Sequence, residues 1–100
     1  MAMMEISVVP LGTKHTSLSR YVADIHKILR KKRGVAVELS GMSTLVTGPA
    51  PRLFSLASEL HRIPFSKGAR RVYTVLKMDD RRDKKATPSD KILSVLKKLN

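Results

Sequence analysis

Cysteine is absent from the chain, as are tryptophan and glutamine, and the single asparagine is its last residue. Without thiols, disulfides, thiolate nucleophiles and Cys-based zinc sites are excluded, and nothing points to an oxidising compartment. Aromatic side chains are scarce. Tyr21, Phe54, Phe65 and Tyr73 are the whole supply, a poor basis for the stacking platform on which single-stranded nucleic acid lies. Acidic residues are also few, 8 against 20 Lys plus Arg, for a net charge of +12. No stretch approaches the roughly 20 apolar residues that span a bilayer, and the first five residues lack the basic and long apolar segments of a secretory leader. The expectation is a soluble cytoplasmic protein whose 100 residues form one domain, long enough to bury about 60 to 70% of its unfolded surface without a staple.

Apolar periodicity fills in the elements. Residues 4–11 alternate as a strand, with Met4, Ile6 and Val8 on one face and Glu5, Ser7 and Val9 on the other. After a loop containing Thr16, Ser17 and Ser19, all candidate cap hydroxyls, the residues Leu18, Tyr21, Val22, Ile25, Ile28 and Leu29 recur at helical spacing. That helix is expected to run into Lys31-Lys32-Arg33-Gly34, cations and a glycine that suit a helix C-terminus. Residues 35–39 and 44–47 read as a hairpin joined by Ser40-Gly41-Met42-Ser43. Pro51 suits the first turn of a second helix with Leu53, Leu56, Ala57 and Leu60 as its buried stripe, and Pro64 is expected to kink or end it. A long strand from Arg71 to Met78 empties into the charge cluster Asp79-Asp80-Arg81-Arg82-Asp83-Lys84-Lys85. Thr87-Pro88-Ser89-Asp90 then carries a cap hydroxyl, a first-turn proline and an acid three residues on, opening a short amphipathic C-terminal helix.

The order βαββαβ plus a terminal helix predicts an α+β fold, the split βαβ or ferredoxin-like sandwich, with both crossover helices on one sheet face. The other face collects Ser7, Val9, Glu38, Thr44, Val46, Tyr73, Val75 and Lys77, too apolar for open water and too polar for a dry core. That mixture predicts self-association, with the polar members pairing across the interface or lining a small-molecule pocket.

Residues 6–13, 16–24 and 68–84, above all Pro10-Leu11-Gly12-Thr13 and Asp79-Asp80-Arg81-Arg82-Asp83-Lys84, resemble the small thiamine-binding protein family related to YkoF-like domains. The resemblance covers essentially the whole chain. It implies dimers stacking into a homotetramer, and a non-enzymatic carrier, scavenger or sensor of thiamine or a related pyrimidine. By position it implies a pocket involving Ser7, the loop Leu11-Gly12-Thr13, Ser17, Glu38 and the hairpin ending in Thr44. Two positions depart from the family pattern: Ser43 replaces a hairpin glycine, and the second helix starts with Pro49-Ala50-Pro51-Arg52 where an acidic start is usual.

Thiamine needs a hydrogen-bonding partner for its aminopyrimidine and apolar walls. Glu38 answers the first need, and Tyr73 or Met42 the second; a phosphate ester would suit Arg20, Lys77 or Arg71. The structural alternative pairs Glu38 with Lys77 or Arg71 as a salt bridge, and makes Ser7, Ser17 and Thr44 a sheet hydroxyl, a helix cap and a cross-strand partner. His15, His26 and His61 lack metal-ligand spacing, and no nucleophile–base pair or phosphate-binding loop is present, so neither metal, cofactor nor catalysis is expected. The competing reading of so basic a chain is a nucleic-acid-binding ferredoxin-like module.

Overall fold

The computed structural model describes residues 1–12 and 18–99. Four strands and three helices follow in the order β1 (Ala2–Leu11), α1 (Ser19–Leu29), β2 (Ala36–Leu39), β3 (Thr44–Gly48), α2 (Ala50–Ser66), β4 (Arg71–Asp80) and α3 (Pro88–Leu99). The strands form one antiparallel sheet in the order β2-β3-β1-β4, each crossover skipping a strand, which is the ferredoxin-like topology.

Alternation in β1 decides which side is dry. Ala2, Met4, Ile6 and Val8 are buried beneath Leu53, Leu56, Ala57, Leu60 and Ile63 of α2 and Ile25 and Leu29 of α1, and Val46 of β3 completes the layer. The opposite face, here the open face, carries in register Thr47, Met3 and Asp79, then Glu38, Leu45, Glu5 and Lys77, then Ser7 with Val75 and Val9 with Tyr73. Tyr73 and Val75 are exposed there. Thr44 and Val46, expected on the open face, lie on the helix face instead, because pairing with Ile6 and Met4 fixes their side.

Several boundaries differ from the sequence reading. α1 ends at Leu29 rather than in the basic run, and the Arg30 N–H still reaches His26 O at 3.0 Å. Gly34 does adopt a left-handed φ of +80°, but in the turn into β2 rather than as a helix cap. Lys32 then serves as a tie between helices, its Nζ 3.1 Å from Glu59 on α2. α1 is preceded by Leu18 with no side-chain cap bond, and Thr16 and Ser17 lie outside the described residues. Pro64 neither ends nor interrupts α2. It sits buried in the last turn, where only Leu60 O loses a donor and the chain stops soon after on its own. Val37 and Leu39 share the helix face as expected, yet β2 is an edge strand and Leu39 remains exposed.

The start of α3 matches its sequence signature: the Thr87 N–H donates to Asp90 Oδ2 at 2.8 Å and the Asp90 N–H to Thr87 Oγ1 at 3.1 Å. These bonds hold the Asp90 carboxyl below its ordinary pKa.

Gly48, the last residue of β3, is buried where the chain leaves the hairpin. A Cβ there would stand 2.9 Å from Val35 Cγ1 and 3.2 Å from Gly34 O, a rigid side chain and a backbone atom. Gly48→Ala is therefore expected to destabilise the domain by about 1 to 3 kcal/mol through overpacking, read as a lower denaturant midpoint at unchanged slope.

Candidate functional site

A cavity of about 490 Å³ opens where strand lengths do not match. β1 pairs with β4 along all ten residues, but with β3 only from Ala2 to Ile6. Among the described residues no strand pairs with the second half of that edge. The floor of the cavity is this half of β1, one wall is the first two turns of α1 with Leu18, Val22 and Ala23, and the other is the β2–β3 turn from Leu39 to Thr44.

The direction of the peptide groups follows from the hairpin. Ser40 N–H donates to Ser43 O at 2.9 Å, so residues 40 and 43 form a hydrogen-bonded pair. Counting along β3, even-numbered residues turn their peptide groups towards β1, and even-numbered residues of β1 turn theirs towards β3. Beyond Ile6, the N–H and C=O of Val8 and the C=O of Pro10 thus face the unpaired edge. Pro10 fits this pattern, since a residue without an N–H belongs where no ladder bond is required. Across the step, Ser7 Oγ donates to Met42 O at 3.0 Å and ties the turn to β1. Ser40 Oγ donates to Ser43 O at 2.9 Å and accepts the Ser43 N–H at 3.2 Å, which stiffens the turn at the position where a glycine had been expected.

No titratable side chain lines the cavity among the described residues. Its walls are aliphatic and thioether carbon, and its polar groups are hydroxyls and peptides. Of the residues predicted for a binding site, Ser7, Met42 and Thr44 are brought together here. Gly12, with φ +76°, follows the end of β1 and does not line the cavity. Glu38, Tyr73 and Lys77 stand on the open face, where Lys77 Nζ is 4.0 Å from Glu5 rather than beside Glu38. Thr13 and Ser17 lie outside the described residues.

His26 was missed as part of this site. It lies on α1 behind the lining, with Nε2 3.0 Å from Thr44 Oγ1. Burial, helped by the Arg30 guanidinium, holds its pKa below the ordinary imidazole value. His61 on α2 makes the equivalent bond over β4 on the same face of the sheet, Nδ1 to Thr74 Oγ1 at 2.7 Å, with Phe65 edge-on to its ring at 5.6 Å. The charge cluster after β4 is ion-paired locally. Arg81 grips Asp83 with two bonds of 2.5 and 2.8 Å, holding its carboxyl at about 2, and Arg82 reaches Asp80 at 3.3 Å.

Fold and cavity together describe a ferredoxin-like domain with room for a small molecule. The chain belongs to the thiamine-binding protein family, whose sequence profile matches residues 4–96. It is 42% identical to the UPF0045 protein YqgV of Bacillus subtilis, over 99% of this chain and 98% of the relative. It is 44% identical to a UPF0045 protein of Methanothermobacter thermautotrophicus, over 95% and 96%. The crystal structure of hypothetical protein MJ1052 from Methanocaldococcus jannaschii superposes with a TM-score of 0.82 at 30% identity, covering 94% of each chain. A Thermotoga maritima protein proposed for thiamine biosynthesis or salvage shares the fold, with a TM-score of 0.75 at 20% identity over 94% and 97% of the two chains.

The depressed His26 pKa has a definite sign. The unfolded chain takes up this proton at the ordinary value of 6.5, so on acidification through that value the unfolded state binds more protons and stability falls; above it the contribution is complete. The denaturant midpoint is expected to drop between pH 7.5 and pH 5.5, and part of that drop to vanish in His26→Gln. Asp83 and Asp90 titrate well below this window and do not confuse the measurement.

Proposed function

We propose that this protein binds thiamine, or a related pyrimidine or thiamine phosphate, without transforming it, and does so as a self-associated species in the cytoplasm. The observation that carries the reading is the half-edge of β1 with no strand partner among the described residues, inside a cavity of ligand size, supported by membership of the thiamine-binding family. Small-molecule pockets run from about 300 to 1,000 Å³, mostly apolar with a few placed polar groups. An aminopyrimidine presents an amino donor beside a ring-nitrogen acceptor, and the Val8 C=O and N–H offer the complementary pair, much as a strand edge receives another strand. Ser7 and Thr44 supply further hydroxyls.

With no carboxylate among the described lining, the cavity suits the neutral pyrimidine half better than the cationic thiazolium. The charged ring is then directed outwards. A phosphate ester there reverses the sign of the ligand's outer end, to the advantage of Arg20 in the first turn of α1 and of a chain whose net charge is +12. The same lack of titratable groups leaves no general acid or base on the described wall, which favours binding over catalysis. Self-association follows from the open face, whose Tyr73 and Val75 are exposed beside Val9 and Leu45. Nucleic-acid binding through that face is disfavoured because Glu5, Glu38 and Asp79 outnumber Lys77 and Arg71 there.

Calorimetry with thiamine, its mono- and diphosphate and the free aminopyrimidine tests the reading. Saturable binding to at least one is expected, weakened at least tenfold by Ala23→Trp, which places bulk on an exposed lining position of α1. No heat from any of the four would end the assignment. Undiminished binding by the tryptophan variant would move the site elsewhere.

A further inference from the structure

His26 and His61 each meet a threonine hydroxyl of the sheet, but only one of those hydroxyls opens on the cavity. His61 bonds Thr74, which is no part of the lining; His26 bonds Thr44, which is. Thr44 is 5% exposed and paired along the ladder with Ile6, so its side chain is fixed between the imidazole and the cavity. On α1, Val22, Ala23 and Ile25 are themselves wall. The next residue, His26, thus stands one hydrogen bond of 3.0 Å behind the lining.

A hydroxyl has a hydrogen to give and lone pairs to receive with, and a neutral imidazole has one N–H and one bare nitrogen. When Nε2 is bare it takes the Thr44 hydrogen, and only lone pairs are left for a guest. When the ring is protonated both nitrogens donate, so Nε2 occupies a Thr44 lone pair and the hydroxyl hydrogen is set free. The same proton places a full charge behind a wall of aliphatic carbon, and no carboxylate answers it there. On α1 the Arg30 guanidinium acts on the ring with the sign of the imidazolium itself. Residues 40–48, which make the turn and β3, carry no titratable side chain. Glu5 of β1 and Glu38 of β2 stand on the opposite face of the sheet. Glu59 of α2 is engaged by Lys32, and Asp24 of α1 by Lys67 at the end of α2. The lowered proton affinity of His26, set by burial and by Arg30, agrees with these surroundings.

We infer that His26 is a positioning residue of the cavity: through Thr44 it decides whether a guest meets an acceptor or a donor, and a cationic guest is held best while the ring is uncharged. This deepens the binding reading above and rests on it. The uncharged ring matches an aminopyrimidine, whose amino group has a second hydrogen to give once the first has gone to the Val8 C=O. The Thr44 lone pairs receive it. Protonation takes one of those lone pairs and adds a repulsion that a thiazolium feels across the apolar wall, where charges are poorly screened. A phosphate at the outer end of the guest offsets that repulsion. Coupling of this kind is reciprocal, so a bound guest in turn expels the proton from His26. Binding then releases a proton on the acid side of neutrality and none above it.

Thiamine is the probe, added to the full chain. NMR is expected to show the His26 ring titrating at lower pH when thiamine is bound, while the His61 ring does not move. Calorimetry near pH 6, in two buffers of different ionisation enthalpy, is expected to show proton release that His26→Gln lacks. The glutamine amide keeps a hydrogen bond to Thr44 and cannot take up the proton. Between pH 7.5 and pH 5.5 the wild-type affinity is expected to fall at least about twofold further than that of His26→Gln. Protonation of the pyrimidine itself is common to both chains and cancels in the comparison. His61→Gln, which acts on a hydroxyl outside the lining, is expected to keep the wild-type profile. Identical profiles for wild type and His26→Gln, or an unmoved His26 titration, overturn the inference and leave thiamine binding standing. If His26→Gln fails to fold, the wild-type NMR titration decides alone. No binding of thiamine at either pH overturns the inference; heat from its phosphates or the free aminopyrimidine would then keep the binding reading, and no heat from any removes both.

Discussion

The pairing of β1 is the constraint from which both core and cavity follow. It is the inner strand with a full-length neighbour on one side and a half-length neighbour on the other. Its even-numbered side chains are the floor of the hydrophobic core, and the same residues turn their peptide groups towards β3. Where β3 is present those groups are spent on the ladder; past Ile6 they have no strand partner among the described residues. A missing five-residue stretch of strand thus leaves one donor, the Val8 N–H, and two acceptors, the C=O groups of Val8 and Pro10, facing a space roofed by α1 and closed by a serine-rich turn. Peptide groups without a strand partner in a sheltered place are costly to leave unsatisfied, and this cost is the physical basis of the binding proposed above.

Much of this was legible in the chain. The fold came from period: two for β1 and β4, near 3.6 for the helices, with proline at the start of α2 and the Thr87–Asp90 signature at α3. What misled was local chemistry that packing overrode. Cations and Gly34 looked like a helix end, yet α1 stops at Leu29 and the basic residues decorate the turn, Lys32 reaching across to Glu59. Pro64 looked like a breaker, but a proline in the final turn removes only one bond of a helix about to end. Thr44 and Val46 were assigned to the wrong face because a short hairpin strand carries no strong alternation, and register with β1 decided the matter.

The site was half legible. Ser7, Met42 and Thr44 meet, Ser7 reaching the turn from the open face through its bond to Met42 O, while Glu38, Tyr73 and Lys77 stand elsewhere on that face and outside the cavity lining. The distinguishing signal was available, since a first strand over residues 4–11 beside a hairpin strand over 44–47 leaves part of its edge uncovered, but it depends on strand lengths more than on residue types. His26 carried no sequence signal beyond its place near the stripe of α1. Its partner is Thr44, eighteen positions away. The chain also separates its charges from its cavity: 28% of residues are charged, and none of the described ones reaches the lining.

Pro10 has one more effect. A bare strand margin invites a foreign strand to dock and, repeated from molecule to molecule, to seed a fibre. By leaving that margin an acceptor but no donor at its outer end, Pro10 denies an extended peptide the continuous ladder it would need. One imino acid thereby acts as a gatekeeper against polymerisation.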